Sequence, residues 1–135
     1  MAQETTLLII KPDAVRRGLI GEVLSRIERK GLRIDAIRAE RIDRDLANRH
    51  YAEHRDKPFF DELVDFITSG DVVVAKVSGP DAISVLRAIM GATDPAKAAP
   101  GTIRGDYGTV ITHNLVHGSD SDESARRELA LFFPE

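Results

Sequence analysis

The chain has 135 residues, is 42% hydrophobic and carries a formal charge of −3 with no cysteine. That length and apolar share suffice for one core in one domain, expected over residues 1–135, without metal or disulfide support. The missing cysteine excludes disulfides, thiolate zinc sites and thiol nucleophiles, and the mildly acidic balance argues against nucleic acid as the main partner.

The N-terminus lacks a basic region, and the apolar run at residues 7–10 is too short for a signal sequence or a membrane span. A cytoplasmic protein without a membrane partner is expected. Residues 5–10 are β-branched and aliphatic and predict a buried strand that stops at Lys11-Pro12-Asp13. Between Gly18 and Gly31, Ile20, Val23, Leu24 and Ile27 recur with helical period, and Arg29 and Lys30 suit the negative C-terminal end. Leu32, Ile34 and Ala36 then alternate before the phase moves to Ile37 and Ala39, which predicts a strand to about Ile42 with a bulge.

Asp43 or Asp45 caps a short helix placing Ala47, His50, Tyr51 and His54 on one face, and a second helix follows Pro58 with Phe60, Leu63, Val64 and Ile67 inward. A third strand is expected at residues 72–77. Gly79-Pro80 starts a helix that buries Ala82, Val85, Leu86 and Ile89 and leaves Arg87 off the stripe. Residues 91–109 lack periodicity and predict a long functional loop holding Thr93, Thr102, Arg104 and Tyr107. A fourth strand near 110–116 and a final helix complete the order. It predicts an α/β (α+β) sandwich, ferredoxin-like βαββαβ with an antiparallel four-stranded sheet covered on one face by helices. A helical hairpin, the long loop and a C-terminal helix are additions to it.

The segment Asn114-Leu115-Val116-His117-Gly118-Ser119-Asp120 sets a lone imidazole between an apolar run and a run of capping residues. Ser119 or Asp120 is expected as the N-cap of a helix beginning near Ser121, closed by Asp122 or Glu123 as a capping box. In that helix Glu128 sits at the margin of the Ala125, Leu129, Phe132 stripe. If the helix folds back along the strand, Glu128 reaches His117, fixes its tautomer and frees the other nitrogen for attack on an electrophile.

Other polar residues allow competing chemistry. His50-Tyr51-Ala52-Glu53-His54 matches the H-x-x-E-H zinc-peptidase pattern, yet a polar helix face or a phosphate-binding face formed by Tyr51 and His54 accounts for the same residues. No P-loop and no G-x-G-x-x-G is present, so a nucleotide must be bound by scattered donors: Lys11, Arg87, Thr93, Arg104 and Asn114 are candidates. Phe59 either stacks on a base or joins the core.

Four separated segments occur in one order: a strand with its K-P-D turn at 6–13, Y-x-x-H…K-P-F-F at 51–60, G-A-T-D-P…A-A-P-G-T-I-R-G-D at 91–106, and N-x-x-H-G-S-D at 114–120. Together they resemble the nucleoside diphosphate kinase family over nearly the whole chain. The resemblance implies a ferredoxin-like fold and ping-pong transfer of the γ-phosphate of a nucleoside triphosphate to a diphosphate, with His117 as nucleophile and phosphohistidine as intermediate. Glu128 would orient the imidazole with support from Ser119, and Tyr51 would lie beside His117. Lys11 and Asn114 would hold the sugar, Lys11 also reaching the transferred phosphate. His54, Arg87, Thr93 and Arg104 would bind phosphates, and Phe59 and Ile111 would clamp the base. Mg2+ would be held by the nucleotide phosphates rather than by a protein cage. The family also implies a homo-oligomer, a hexamer or a tetramer. The alternative is a catalytically silent nucleotide-binding regulatory module. Ile111 for the more usual Val, Phe132 for a Trp, and His113 are departures that touch packing only.

Overall fold

The computed structural model describes residues 2–134; the two end residues of the expected 1–135 domain lie outside the described residues. Strand β1 (Gln3–Ile10) enters a short helix α1 (Pro12–Arg16), then α2 (Ile20–Lys30), β2 (Arg33–Arg41) and α3 (Arg44–His50). A 3₁₀ turn at Ala52–His54 leads to α4 (Phe60–Ile67), β3 (Asp71–Pro80) and α5 (Ala82–Met90). The last part holds a 3₁₀ turn at Pro95–Lys97, α6 (Ile103–Tyr107), β4 (Val116–Gly118) and α7 (Asp122–Phe132).

The strands form one antiparallel sheet in the order β2-β3-β1-β4, with β1 central. This is the ferredoxin-like arrangement expected. The bulge in β2 is present as a register shift between Ile34 and Ala36.

Helices cover both faces of the sheet, not one. The cause is the unbroken apolar run in β1, whose alternate residues point to opposite sides. Leu8 and Ile10 pack with Val23 and Ile27 of α2 and Leu86 and Met90 of α5. Leu7 and Ile9 pack with Ala47 of α3, Val64 and Ile67 of α4, and Phe132 of α7. Burying a side chain of this kind contributes about 1.5–3 kcal/mol, so a central strand apolar on both faces anchors two layers at once.

Three boundaries differ from the sequence expectation. Lys11-Pro12-Asp13 is not a simple turn: Pro12 opens α1, where its missing N–H and fixed φ suit the first helical position. Pro80 closes β3 and α5 begins at Ala82, after Asp81 at a φ of 52°. The segment 91–109 contains two helical turns, stopped by short capping residues: Asp94 accepts from Ala96 N, and Thr102 accepts from Gly105 N at 3.0 Å.

Candidate active site

The fourth strand is shorter than expected and begins later. Residues 110–115 form no strand; β4 has only three residues, and His117 is its centre, paired with Ile9 of β1. Side chains directly opposite across a sheet share a face, so His117 points toward the layer of α3 and α7. The strand is delayed by Leu115, whose φ is 76°. Val116 N donates to Asn114 O at 2.8 Å, closing a three-residue γ-turn of the strained, positive-φ kind. Its strain is offset by two fixed partners and by burial. Lys11 N donates to Leu115 O at 2.8 Å, Leu115 N donates to Asp13 Oδ2 at 3.1 Å, and the Leu115 side chain is fully buried.

Helix α7 begins at Asp122 with Ser121 as its cap, accepting from Ser124 N at 3.1 Å. Neither Ser119 nor Asp120 caps it, and no capping box forms, because Ser124 stands where the acid would. Ser119 instead turns inward and donates to Glu128 Oε1 at 2.7 Å. The same oxygen lies 2.7 Å from His117 Nε2. The Glu128 side chain is only 6% exposed against 21% for His117, so the carboxylate is more deeply set than a stripe margin implies. Burial pushes its carboxyl up, but the hydrogen bonds from His117 and Ser119 and the His117 charge outweigh this and hold it below the usual range. Nε2–H pointing at the carboxylate leaves the lone pair on Nδ1.

Around this pair lies a cleft of about 520 Å³, lined by His117, Glu128, Lys11, Tyr51, His54, Phe59, Arg87, Thr93, Arg104, Ile111 and Asn114 among others. Every site residue predicted from sequence lines it except Ser119, which is fully buried behind Glu128. Lys11 Nζ donates to Asn114 Oδ1 at 2.8 Å, and Asn114 Nδ2 donates to Thr93 O at 3.2 Å. Burial, with Arg104 nearby, lowers the Lys11 pKa to about 8, against a smaller opposing pull from Asp13. Arg104 donates from Nε to Asn114 O, from Nη1 to Gly91 O and from Nη2 to Val116 O. It therefore clamps the long loop to β4, while its five N–H groups leave two for a ligand. Burial, with the Arg87 charge, lowers its pKa to about 10. Phe59 and Ile111 are 43% and 54% exposed, unusual for large apolar groups, so Phe59 is not part of the core. Tyr51 is buried, and burial followed by the Glu128 charge raises its phenol well above the usual range.

The H-x-x-E-H pattern does not form a metal site. Helix α3 ends at His50 and the chain tightens into the 3₁₀ turn, so the two histidines are not one α-helical turn apart on a single face. Among the described residues, one group of three has ligand atoms close together, within 4.8 Å: His50, His117 and Glu128. Its nitrogen donors are unsuited to Mg2+, which takes six oxygens.

The family model for nucleoside diphosphate kinase matches residues 4–135. The chain belongs to the nucleoside diphosphate kinase family. It is 61% identical over 133 residues to the nucleoside diphosphate kinase of Nocardia farcinica, covering 98% of this chain and 96% of that protein. It is 62% identical over 130 residues to that of Rubrobacter xylanophilus, covering 96% and 98%. Among solved structures, a halophilic nucleoside diphosphate kinase from Halobacterium salinarum in complex with CDP superposes with a TM-score of 0.96 at 54% identity, covering 99% of this chain and 90% of that one. The enzyme from Encephalitozoon cuniculi gives the same TM-score at 40% identity, covering 98% and 90%. The chain is thus a phosphotransferase of nucleotides, a nucleoside diphosphate kinase, on the fold its sequence predicted.

Two residues of this kinase cleft escaped the sequence reading of the transfer site. His50 is 4% exposed and lies edge-on to His117, with ring centroids 4.7 Å apart, while Tyr51 was expected beside the nucleophile. Burial and the His117 charge push the His50 pKa well down. Arg127 donates from Nη1 to Arg49 O at 3.2 Å and lies 3.6 Å from Glu128 Oε2, tying the hairpin to α7. Its only sequence signal was adjacency to Glu128, since its other partners are remote in the chain.

Proposed function

We propose that this kinase carries the γ-phosphoryl group on His117 Nδ1. The lone pair of Nδ1 attacks the γ-phosphorus, the bond to the bridging oxygen breaks, and the nucleoside diphosphate leaves with that electron pair. The ring is then a phosphorylated imidazolium whose charge Glu128 offsets through Nε2, with Ser119 holding the carboxylate in place. A terminal oxygen of an acceptor diphosphate attacks the phosphorus and the P–N bond breaks, restoring the neutral ring. What carries this reading is the 2.7 Å contact between His117 Nε2 and Glu128 Oε1 at the bottom of a cation-lined cleft.

Arg87, Arg104, Thr93 and His54 bind phosphates in this reading, and Lys11 and Asn114 hold the sugar, with Lys11 reaching the transferred phosphate. Tyr51 walls the cleft. Phe59 and Ile111 pinch the base by its faces, which accepts purines and pyrimidines alike because every base has a π-face. Mg2+ is bound through phosphate oxygens, where it neutralises their charge. No described helix is long and apolar enough to cross a membrane; the proposed setting is the cytoplasm. The assembly is a homo-oligomer of single-domain chains, a hexamer in the first instance and otherwise a tetramer.

The test is incubation with γ-labelled ATP and Mg2+, followed by a chase with a different diphosphate. An acid-labile, alkali-stable label that the chase removes is expected, with none on His117→Ala. Nucleotide binding without label would return the silent regulatory module, and exchange retained by His117→Ala would remove His117 from the reaction.

A further inference from the structure

We propose that His50, His117 and Glu128 form a binding site for a borderline-soft divalent cation of the zinc class, and that such an ion arrests the enzyme by occupying its nucleophile. One ring nitrogen from each histidine and one carboxylate oxygen lie within 4.8 Å of one another. His50 is almost wholly buried, and its Nδ1 has no hydrogen-bond partner. A buried ring nitrogen left unpaired is costly, and an ion bound at that nitrogen would satisfy it. The second imidazole stands edge-on at 82°, so the rings do not stack.

Two histidines and one glutamate make the donor set of open zinc sites, in which a fourth position is left for water or substrate. Zinc bonds of about 2.0–2.2 Å put tetrahedral neighbours roughly 3.3 Å apart. The His117–Glu128 pair, at 2.7 Å, has to open slightly, while the widest pair, within 4.8 Å, has to close by at most roughly 1.5 Å. All three residues line the cleft, so the open position faces the nucleotide's side. Zinc outranks magnesium on nitrogen donors, so the activating ion does not compete for this place.

Inhibition follows whichever His117 nitrogen is used. An ion on Nδ1 removes the attacking lone pair; one on Nε2 displaces the Glu128 hydrogen bond that sets the tautomer. This consequence rests on His117 being the phosphoryl carrier, whereas the binding site itself does not.

The full chain, stripped of metal and without nucleotide, is titrated with Co2+ and then Zn2+ by visible absorption and calorimetry. Expected are one ion per chain, a four-coordinate cobalt spectrum, and binding weakened at least tenfold in each of His50→Ala, His117→Gln and Glu128→Gln. His54→Ala should bind as wild type does. Thermal melting verifies that each variant is folded. In the second arm, Zn2+ suppresses labelling of wild type by γ-labelled ATP, chelator restores it, and excess Mg2+ does not. No saturable zinc binding, or equal affinity in wild type and the folded variants, overturns the site. Tight binding with undiminished labelling overturns the arrest. Labelling that fails in zinc-free protein supplied with Mg2+ would strike the kinase mechanism alone, because the titration involves no nucleotide.

Discussion

Glu128 grips His117 at Nε2, 2.7 Å away, and Ser119 grips the same carboxylate oxygen at the same distance. In the proposed transfer Nδ1 is then the attacking nitrogen, and the three residues should differ in importance in order of their distance from the phosphorus. His117→Ala is expected to abolish labelling. Glu128→Gln removes the charge that offsets the imidazolium and should slow phosphoryl transfer by roughly 10²-fold, with little change in KM. Ser119→Ala loses one hydrogen bond to that charge and should slow it about tenfold. Single-turnover rates of labelling check this ranking, and a Ser119→Ala enzyme slower than Glu128→Gln would contradict it.

Lys11 links pH to both stability and activity. Its pKa falls from 10.5 unfolded to about 8 folded, so the folded state sheds this proton first. Below pH 8 the chain bears the full cost of a buried ammonium, about 3 kcal/mol, and regains it as pH rises from 8 toward 10.5. Urea unfolding at pH 7 and 9.5 should show wild type gaining stability relative to Lys11→Met. Activity moves the other way. As Lys11 loses its charge, kcat/KM should fall above about pH 8, and the limb for kcat should lie higher because bound phosphate favours the charged form.

The loop that carries Arg104 depends on Gly105. A Cβ there would sit 1.9 Å from the Ala99 carbonyl oxygen, a backbone atom that cannot step aside. Gly105→Ala should cost about 3 kcal/mol or more and detach Arg104 from its three carbonyls. Gly101→Ala meets no atom within 4 Å and pays only for its φ of 96°, about 1 kcal/mol. Thermal melts of both variants decide, and equal losses would refute the steric account.

Phe59 and Ile111 touch the base only by its faces in the proposed complex. Truncating either to Ala should raise KM for ADP, GDP and CDP by a common factor, with stacking worth about 1–3 kcal/mol, and leave kcat nearly unchanged. A variant that discriminates among bases would show edge recognition instead.

Most of the cleft-lining residues were legible because they lie in four compact segments whose order could be matched, whereas Arg87, Ile111 and Glu128 lie outside those segments; β1, α2 and α4 were legible because their apolar patterns are clean, while α3 stops at His50, short of the expected face. The sequence pattern misplaced β4. Residues 110–116 read as a strand from their apolar content, yet the positive φ of Leu115 is imposed by Lys11 N and Asp13, about a hundred residues earlier. No local pattern encodes a partner so distant.

His50 shows the same division. Its neighbours suggested a metal motif along one helix, but α3 stops there and the ring meets His117 and Glu128 from other elements. Residue type, spacing and charge, which are properties of the chain itself, singled out the proposed nucleophile, its carboxylate and the cations of the cleft. Which His117 nitrogen the carboxylate holds, which serine supports the acid and that both sheet faces are covered were decided by packing, because each depends on contacts between segments that only folding brings together.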